Sequence, residues 1–437
     1  MLVRRPSVAI ETHGCKLNQA DTATLAARFR SAGFDLVPTD QPADVYLVNS
    51  CTVTHTADRK ARHSLRLARR RNPEATIVAT GCYAERDPAA LNRLNEVDLV
   101  AGNGDKVRLV ADVLALRGQE ASTCGAGSDE IPLSPRTLRT RAFVKIQEGC
   151  DQVCAYCIVP KVRGRERSIP AATIVSQIRR LEDVGYREVV LTGTQLGTYG
   201  FDLRPQEGPT TLTSLLNEIL EGTGIDRIRV SSLQPQEIDD SLIRLWSNDR
   251  LCPHFHLPLQ SGSDSVLKRM RRRYTAAQYA RAVEIINEGV PKAGLTADVI
   301  AGFPGETSAD HAETCRLIGA GGFSGLHVFR FSRRPGTTAF HLKDDVSAGE
   351  KSERADELIG LGDRAAANFR EGLLGTARPV LWEERRNGAW TGLTDNYVRV
   401  LAHSNQDLFN RIGIATLLAR AGKVVSARVD SVVSPLA

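Results

Sequence analysis

The sequence predicts an α/β protein in three parts: an N-terminal open parallel sheet, a central partial (βα)6 barrel and a small C-terminal β-barrel. Short β-branched runs alternate with helical patterns through residues 1–118, and the alternation resumes from Arg141 to about Glu371. Beyond Pro379 the pattern shortens to alternating strands separated by turn residues. The 437 residues suffice for several cores, and 25% charged with 42% hydrophobic residues is the composition of a globular chain.

In the first part, Ser7–Glu11, Val45–Asn49 and Thr76–Thr80 read as buried parallel strands. Ala20–Ala32, stopped by Gly33, and Thr56–Arg71, stopped before Pro73, read as helices. A further strand–helix unit, roughly Val97 to Leu116, closes the part. Cys15, Cys51 and Cys82 each follow a strand's C-terminal end, where the loops of an open α/β sheet converge on one crevice. They are either a three-thiolate metal site or three small half-buried thiols. Gly118–Pro135 is rich in Gly, Ser and Pro without periodicity and reads as a linker, set at 119–140; Cys124 inside it is not expected to be a ligand.

In the second part, strands are predicted at Phe143–Ile146, Glu188–Thr192, Arg227–Ser231, His254–Leu257, Leu295–Ile300 and Gly325–Phe331. Helices are predicted near Ala172–Gly185, Leu212–Gly222, Glu237–Asn248, Tyr274–Gly289 and Ser308–Gly321. The site of such a barrel lies at the strands' C-terminal ends. There, after the first strand, Cys150, Cys154 and Cys157 are separated by three residues and then two. Thiolates this close cannot all pair as disulfides but can surround one metal centre. The alternatives are zinc with a distant fourth ligand, or an iron–sulfur cube with one iron left open. Cys252 and Cys315 fit no such pattern and read as core or surface thiols.

The third part follows a long helical pattern, Ala348–Gly372. Its strands are predicted at Pro379–Glu383, Gly388–Leu393, Tyr397–Ala402 and Val424–Val433.

The triad Cys150/Cys154/Cys157 resembles the signature of the radical S-adenosylmethionine (SAM) enzymes. That resemblance implies a 4Fe–4S cluster whose open iron is chelated by SAM, and reductive release of a 5′-deoxyadenosyl radical. Tyr156 matches the residue that lies against the SAM adenine. Thr192–Gly200, with Gly193 and Thr194, resembles the loop meeting the SAM amino group, and Ser232 lies in the segment meeting the ribose. Gln260, in His256–Asp264, is aimed at the cofactor region, and Gly302, in Ala297–Glu306, lies in the turn near the adenine.

Gly14-Cys-Lys-Leu-Asn-Gln, Asn49-Ser-Cys-Thr-Val-Thr, Ala57–Arg62 and Thr80-Gly-Cys-Tyr-Ala-Glu resemble the methylthiotransferases within that superfamily. This implies a second 4Fe–4S cluster on Cys15, Cys51 and Cys82, domains at 1–118, 141–372 and 373–437, and a C-terminal TRAM-like RNA-binding barrel. Phe331 stands where the family usually has tyrosine. The wording is most similar to the MtaB-type branch, which thiomethylates carbon 2 of threonylcarbamoyladenosine beside the tRNA anticodon. The branches acting on isopentenyladenosine (MiaB-type) or on a ribosomal protein (RimO-type) are alternatives, as is a zinc-structured RNA-binding protein without catalysis. The expected partners are a tRNA anticodon stem-loop and an electron donor such as flavodoxin or ferredoxin, with the sulfur donor left open.

The net charge of +6 is mildly basic, and Arg69–Arg71, Arg163/Arg165/Arg167 and Lys268–Arg273 are each a solvated face or a surface for a polyanion. A threonylcarbamoyl group ends in a carboxylate, which suits arginine's planar fork. Arg163, Arg165, Arg333 and Arg334 are the arginines expected at the barrel mouth. No apolar h-region follows the N-terminal charges and no run is long enough to span a bilayer, which predicts a cytoplasmic protein without membrane contact.

Overall fold

The computed structural model describes residues 4–118, 132–137, 139–203 and 210–432. Cys124 and most of the expected linker lie outside the described residues.

The first part is a five-stranded parallel sheet in the order Asp35–Leu36, Ser7–Thr12, Val45–Ser50, Thr76–Gly81, Leu99–Ala101. The chain reverses direction across the sheet between Ser7–Thr12 and Val45–Ser50, the place where such sheets open a ligand crevice. Helices cover both faces. Phe29 and Leu25 of helix Lys16–Ser31 join Val113 of helix Leu109–Leu116 in one core. Ala61, Leu65 and Ala68 of helix His55–Arg71 build the other. The strand Asp35–Leu36 is too short to show a period in the sequence.

In the second part, Arg141–Lys145, Glu188–Thr192 and Arg227–Val230 form one parallel sheet, and His254–His256, Gly294–Ala301 and Gly325–Arg330 form another. Ile228 joins them, donating to Arg250 O at 2.7 Å and accepting from the Cys252 amide at 2.9 Å. The six strands therefore run in sequence order around a partial barrel, with Arg141–Lys145 and Gly325–Arg330 as its edges. Helix Lys16–Ser31 of the first part packs against the edge strand Arg141–Lys145.

One expected helix is broken. Glu237–Asn248 is instead a 3-10 turn Pro235–Glu237, a short helix Asp240–Ile243 and a 3-10 turn Arg244–Ser247. Asp239 accepts from the Leu242 amide at 2.8 Å and so starts a helix inside the predicted one. Helix Asp264–Arg269 is present in addition.

The third part is a closed barrel of Ala377–Arg386, Ala389–Thr394, Arg399–Ala402, Val424–Val432 and Ile412–Ala421 around Trp382, Val400 and Leu417. It closes the floor of the central barrel. Arg227 donates to Pro379 O and, at 3.2 Å, to Leu393 O; Arg229 donates to Asp395 O at 2.8 Å. Tyr397, at φ +74°, stacks on His254 with ring centroids 4.3 Å apart. Among the described residues, no helix is long and apolar enough to cross a membrane.

Candidate active site

Cys15, Cys51 and Cys82 stand at the C-terminal ends of three adjacent strands. Cys15 precedes helix Lys16–Ser31, Cys51 follows Val45–Ser50, and Cys82 opens helix Cys82–Arg86. The loops are drawn together by polar side chains. Asn18 donates to His13 O at 2.9 Å and to Ser50 O at 3.1 Å, and the Ser50 hydroxyl donates to Thr80 O at 2.8 Å. Gly14 is required here: at φ +108°, a Cβ would lie 2.5 Å from the Cys51 Cβ. Burial pushes the Cys51 thiol up to about 12, and Cys15 and Cys82 push it further. The three sulfurs thus share one electrostatic environment.

The second triad lies in the loop after Gln147–Glu148. The Gln147 side chain accepts from the amides of Thr194 at 2.9 Å and Gln195 at 3.0 Å, tying this loop to the one after Glu188–Thr192. Each sulfur has a donor at 3.4 Å: the Gln152 amide to Cys150, the Val159 amide to Cys157, and Arg272 Nη1 to Cys154. Donors aimed at sulfur favour the thiolate, against burial, which pushes Cys150 up to about 11 and Cys157 to about 12.

Tetrahedral zinc would bring sulfurs to about 3.8 Å of one another. Among the described residues, the ligand sets within 4.8 Å are His256/Asp298/His327 and His311/Cys315/Glu357. Three thiols in each triad are the donor set of an iron–sulfur cube with one open iron, or of zinc with a fourth ligand from elsewhere.

The two triads share a wall. Cys82 packs with Ile158 and Val162, just beyond Cys157. Asn103 donates to Val162 O at 2.7 Å and approaches Cys82 Sγ at 3.8 Å. Beside this wall a cavity of about 200 Å³ is lined by Val53 and Thr54, Tyr156 and Cys157, Gln260, Asp298 and Phe329–Ser332. Gln260 adopts φ +62° and bridges to the strand at Val299, which fixes its backbone in the cavity wall. Gly193, Thr194, Ser232 and Gly302 follow their respective strands outside that lining. Gly302, at φ +70°, lies under Lys351, and a Cβ there would meet its Cγ at 2.3 Å.

The four expected arginines do not gather at the cavity. Arg163 is buried and paired with Asp21 at 2.8 Å, with Glu148 and with the Asn18 side chain. Arg334 is equally buried, donating to Asp58 at 2.6 Å, Thr52 at 2.8 Å and His55 at 3.1 Å. Both hold the first part to the second, so neither is free for a substrate carboxylate. Arg333 donates to Phe340 O at 3.2 Å, and Arg165 is exposed, 3.8 Å from Asp151. Arg330 is the arginine that lines the cavity. In the other clusters, Arg69 binds Pro73 O, Ala75 O and Asp98, and Arg269 binds Gly305 O, so neither run is a purely solvated face.

A chain of contacts missed in the sequence runs from Cys154 through Arg272 to the Gln234 side-chain oxygen; the Gln234 backbone N–H donates to Glu237, which also accepts from the Gln195 side chain. Nothing in the spacing of these residues marks it.

Residues 7–102 match the family described as uncharacterized protein family UPF0004, and residues 144–318 match the radical SAM superfamily. The chain is 36% identical over 429 residues, 95% of its length and 94% of the other's, to the threonylcarbamoyladenosine tRNA methylthiotransferase MtaB of Bacillus subtilis. It is 39% identical to the protein of that name from Aquifex aeolicus, over 90% of this chain and 96% of that one. The chain belongs to the radical SAM methylthiotransferases. As a member of that family it is an enzyme that transfers a methylthio group, with SAM and a 4Fe–4S cluster as cofactors. It is also 33% identical to the tRNA-2-methylthio-N(6)-dimethylallyladenosine synthase of Syntrophotalea carbinolica, over 93% of this chain and 95% of that one. The radical SAM methyltransferase TsrM of Kitasatospora setae shares the fold at TM-score 0.56 and 15% identity, covering 77% of each chain.

Proposed function

We propose that this methylthiotransferase modifies carbon 2 of threonylcarbamoyladenosine beside the anticodon of tRNA. The observation that carries the reading is 36–39% identity, over nearly full length, to relatives bearing that name. The dimethylallyladenosine branch is the second reading, favoured by the 33% identity to its Syntrophotalea member.

Cys150, Cys154 and Cys157 are proposed to hold the SAM-binding cluster, and Cys15, Cys51 and Cys82 a second one. Tyr156, Gly193, Thr194, Ser232, Gln260 and Gly302 are proposed contacts of SAM. When bound, a reduced cluster with SAM supplies the one-electron chemistry needed to open an aromatic C–H bond, which has no useful acidity. The chain's own contribution is position. Arg272 and the Gln152 and Val159 amides steady the thiolates of one triad, while Gly14 and Asn18 set the approach of the other. The cavity between Thr54 and Gln260 admits a flat base next to both. Domains at 1–118, 141–372 and 373–437, RNA contact by the last, cytoplasmic location and a flavodoxin- or ferredoxin-type reductant complete the reading.

The test is methylthiolation of tRNA carrying threonylcarbamoyladenosine or isopentenyladenosine by the anaerobically reconstituted full chain, read by nucleoside mass spectrometry. Preference for the isopentenyl substrate overturns the reading in favour of the other branch.

A further inference from the structure

Helix Ser308–Ala320 and helix Ala348–Glu371 pack against each other beside the central barrel. Across their seam three side chains of different chemistry meet. His311 and Cys315 are one helical turn apart and share a face of the first helix, and Glu357 reaches them from the second. His311 Nε2 lies 2.8 Å from Glu357 Oε2 and 3.5 Å from Cys315 Sγ. All three atoms fall within 4.8 Å of one another, so they form a triangle and not a line.

Tetrahedral zinc, about 2.3 Å from sulfur and about 2.0 Å from nitrogen, sets those two ligands about 3.5 Å apart. That is the spacing between Cys315 and His311. The His311–Glu357 edge is shorter than zinc needs by about 0.5 Å, a shift open to the exposed Glu357 side chain. His311 is buried and Cys315 is half-buried against the barrel core, so packing holds two of the three ligands. Arg354, one turn before Glu357, is taken up by Glu306 at 2.9 Å and Glu350 at 3.6 Å. Among the described residues, His311 is the one ion-pair partner of Glu357, so no lysine or arginine competes for that carboxylate. Imidazole, thiolate and carboxylate together select a borderline cation such as Zn2+ over the harder Mg2+ or Ca2+.

We propose that His311, Cys315 and Glu357 form a zinc site separate from both cysteine triads. On binding, the Cys315 thiol gives its proton to solvent, and the imidazole binds through Nε2 and keeps its proton on Nδ1. Water completes the tetrahedron on the exposed side. The ion ties the two helices together. Helix Ala348–Glu371 also packs on the edge strand Gly325–Arg330, whose end lines the cavity, and it leads into the C-terminal barrel. The cation therefore braces the strand that carries Phe329 and Arg330 from behind. Neither helix lines the cavity itself, so the site is structural and independent of which adenosine is modified.

The experiment takes the full chain with its iron–sulfur clusters loaded, dialyses it against buffered Zn2+, and reads zinc and iron together by elemental mass spectrometry. Wild type is expected to retain about one zinc per chain with its iron unchanged. Cys315→Ala and Glu357→Gln should each lower zinc affinity by at least the 10- to 100-fold, roughly, that losing an outer-shell partner costs. Glu357 is exposed, so Glu357→Gln keeps the fold even if Cys315→Ala disturbs packing. Zinc should raise the thermal midpoint of wild type and of neither variant. His256→Ala serves as the control for the set His256/Asp298/His327 inside the barrel, and it should keep the zinc. No zinc on wild type, or zinc gained only as iron is lost, overturns the proposal. So does zinc retained equally by Cys315→Ala and Glu357→Gln, or zinc lost with His256→Ala instead.

Discussion

Arg334 of the central barrel reaches into the N-terminal sheet domain and meets Asp58 at 2.6 Å, with both side chains buried. Asp58 also accepts from Arg86 at 3.0 Å and from the Thr52 hydroxyl at 2.6 Å, next to Cys51. One carboxylate therefore balances two guanidinium groups beside the thiol triad.

Removing that carboxylate should be expensive. Asp58→Asn leaves Arg334 buried without its counter-charge, a loss of about 3–5 kcal/mol. It should lower the thermal midpoint and the iron content of the N-terminal domain together. A replacement of both partners, Asp58→Asn with Arg334→Met, should recover part of the stability. An unshifted midpoint in the single variant would show that the pair does not hold the domains.

The two triads should fail differently. Cys154→Ala is expected to abolish reductive SAM cleavage and product. Cys51→Ala is expected to spare SAM cleavage while abolishing methylthio transfer, with about half the iron lost. Gly14→Ala should behave like Cys51→Ala, because its Cβ would press on Cys51 at 2.5 Å. Full product from the Cys51 variant would eliminate the second cluster.

Glu237 sets a pH dependence. Burial raises its carboxyl from 4.5 to about 7, outweighing the donors from Gln234 and Gln195 that lower it. Between these values the folded protein holds a proton that the unfolded chain has released, so its contribution to stability falls as pH rises through the window. Glu237→Gln should therefore gain on wild type by about 3 kcal/mol between acid and mildly alkaline conditions. Thermal midpoints measured across that range check it; a constant difference would rule it out.

The C-terminal barrel cannot be cut off cleanly. Deletion from Gly375 would strip Arg227, Arg229 and His254 of their partners at Pro379, Asp395 and Tyr397. It is expected to lower the midpoint of the remaining chain as well as tRNA affinity. Charge reversal at exposed Arg385 is the cleaner probe of RNA contact. If the barrel touches the backbone there, the slope of log affinity against log salt should shrink by about one unit. An unchanged slope would place the RNA elsewhere.

The strand–helix alternation of the first two parts and the strand-end position of every candidate cysteine were legible because each rests on local pattern. Ile412–Ala421 was not, since Ile-Gly-Ile-Ala-Thr-Leu-Leu-Ala-Arg-Ala carries no strand period. It is a strand because Ala377–Leu381 and Val424–Val432 pair with it on both edges. The pairing of Arg163 and Arg334 was not legible for a related reason. Arg163 finds Asp21 across 142 positions and Arg334 finds Asp58 across 276, and no local spacing separates a paired cation from a free one.

The clamp of Arg163 on Asp21 has a bearing on protein engineering. An N-terminal domain grafted from a relative must bring its own acids at the positions of Asp21 and Asp58, or the graft will strand two buried guanidinium groups. Because Arg163 also lies within electrostatic reach of Cys82 and Cys15, a mismatched graft would alter the charge seen by the thiols even where the domains still docked. Chimeras within the family are therefore interchangeable only as matched pairs of modules, and a library that shuffles the two halves freely should yield mostly inactive combinations.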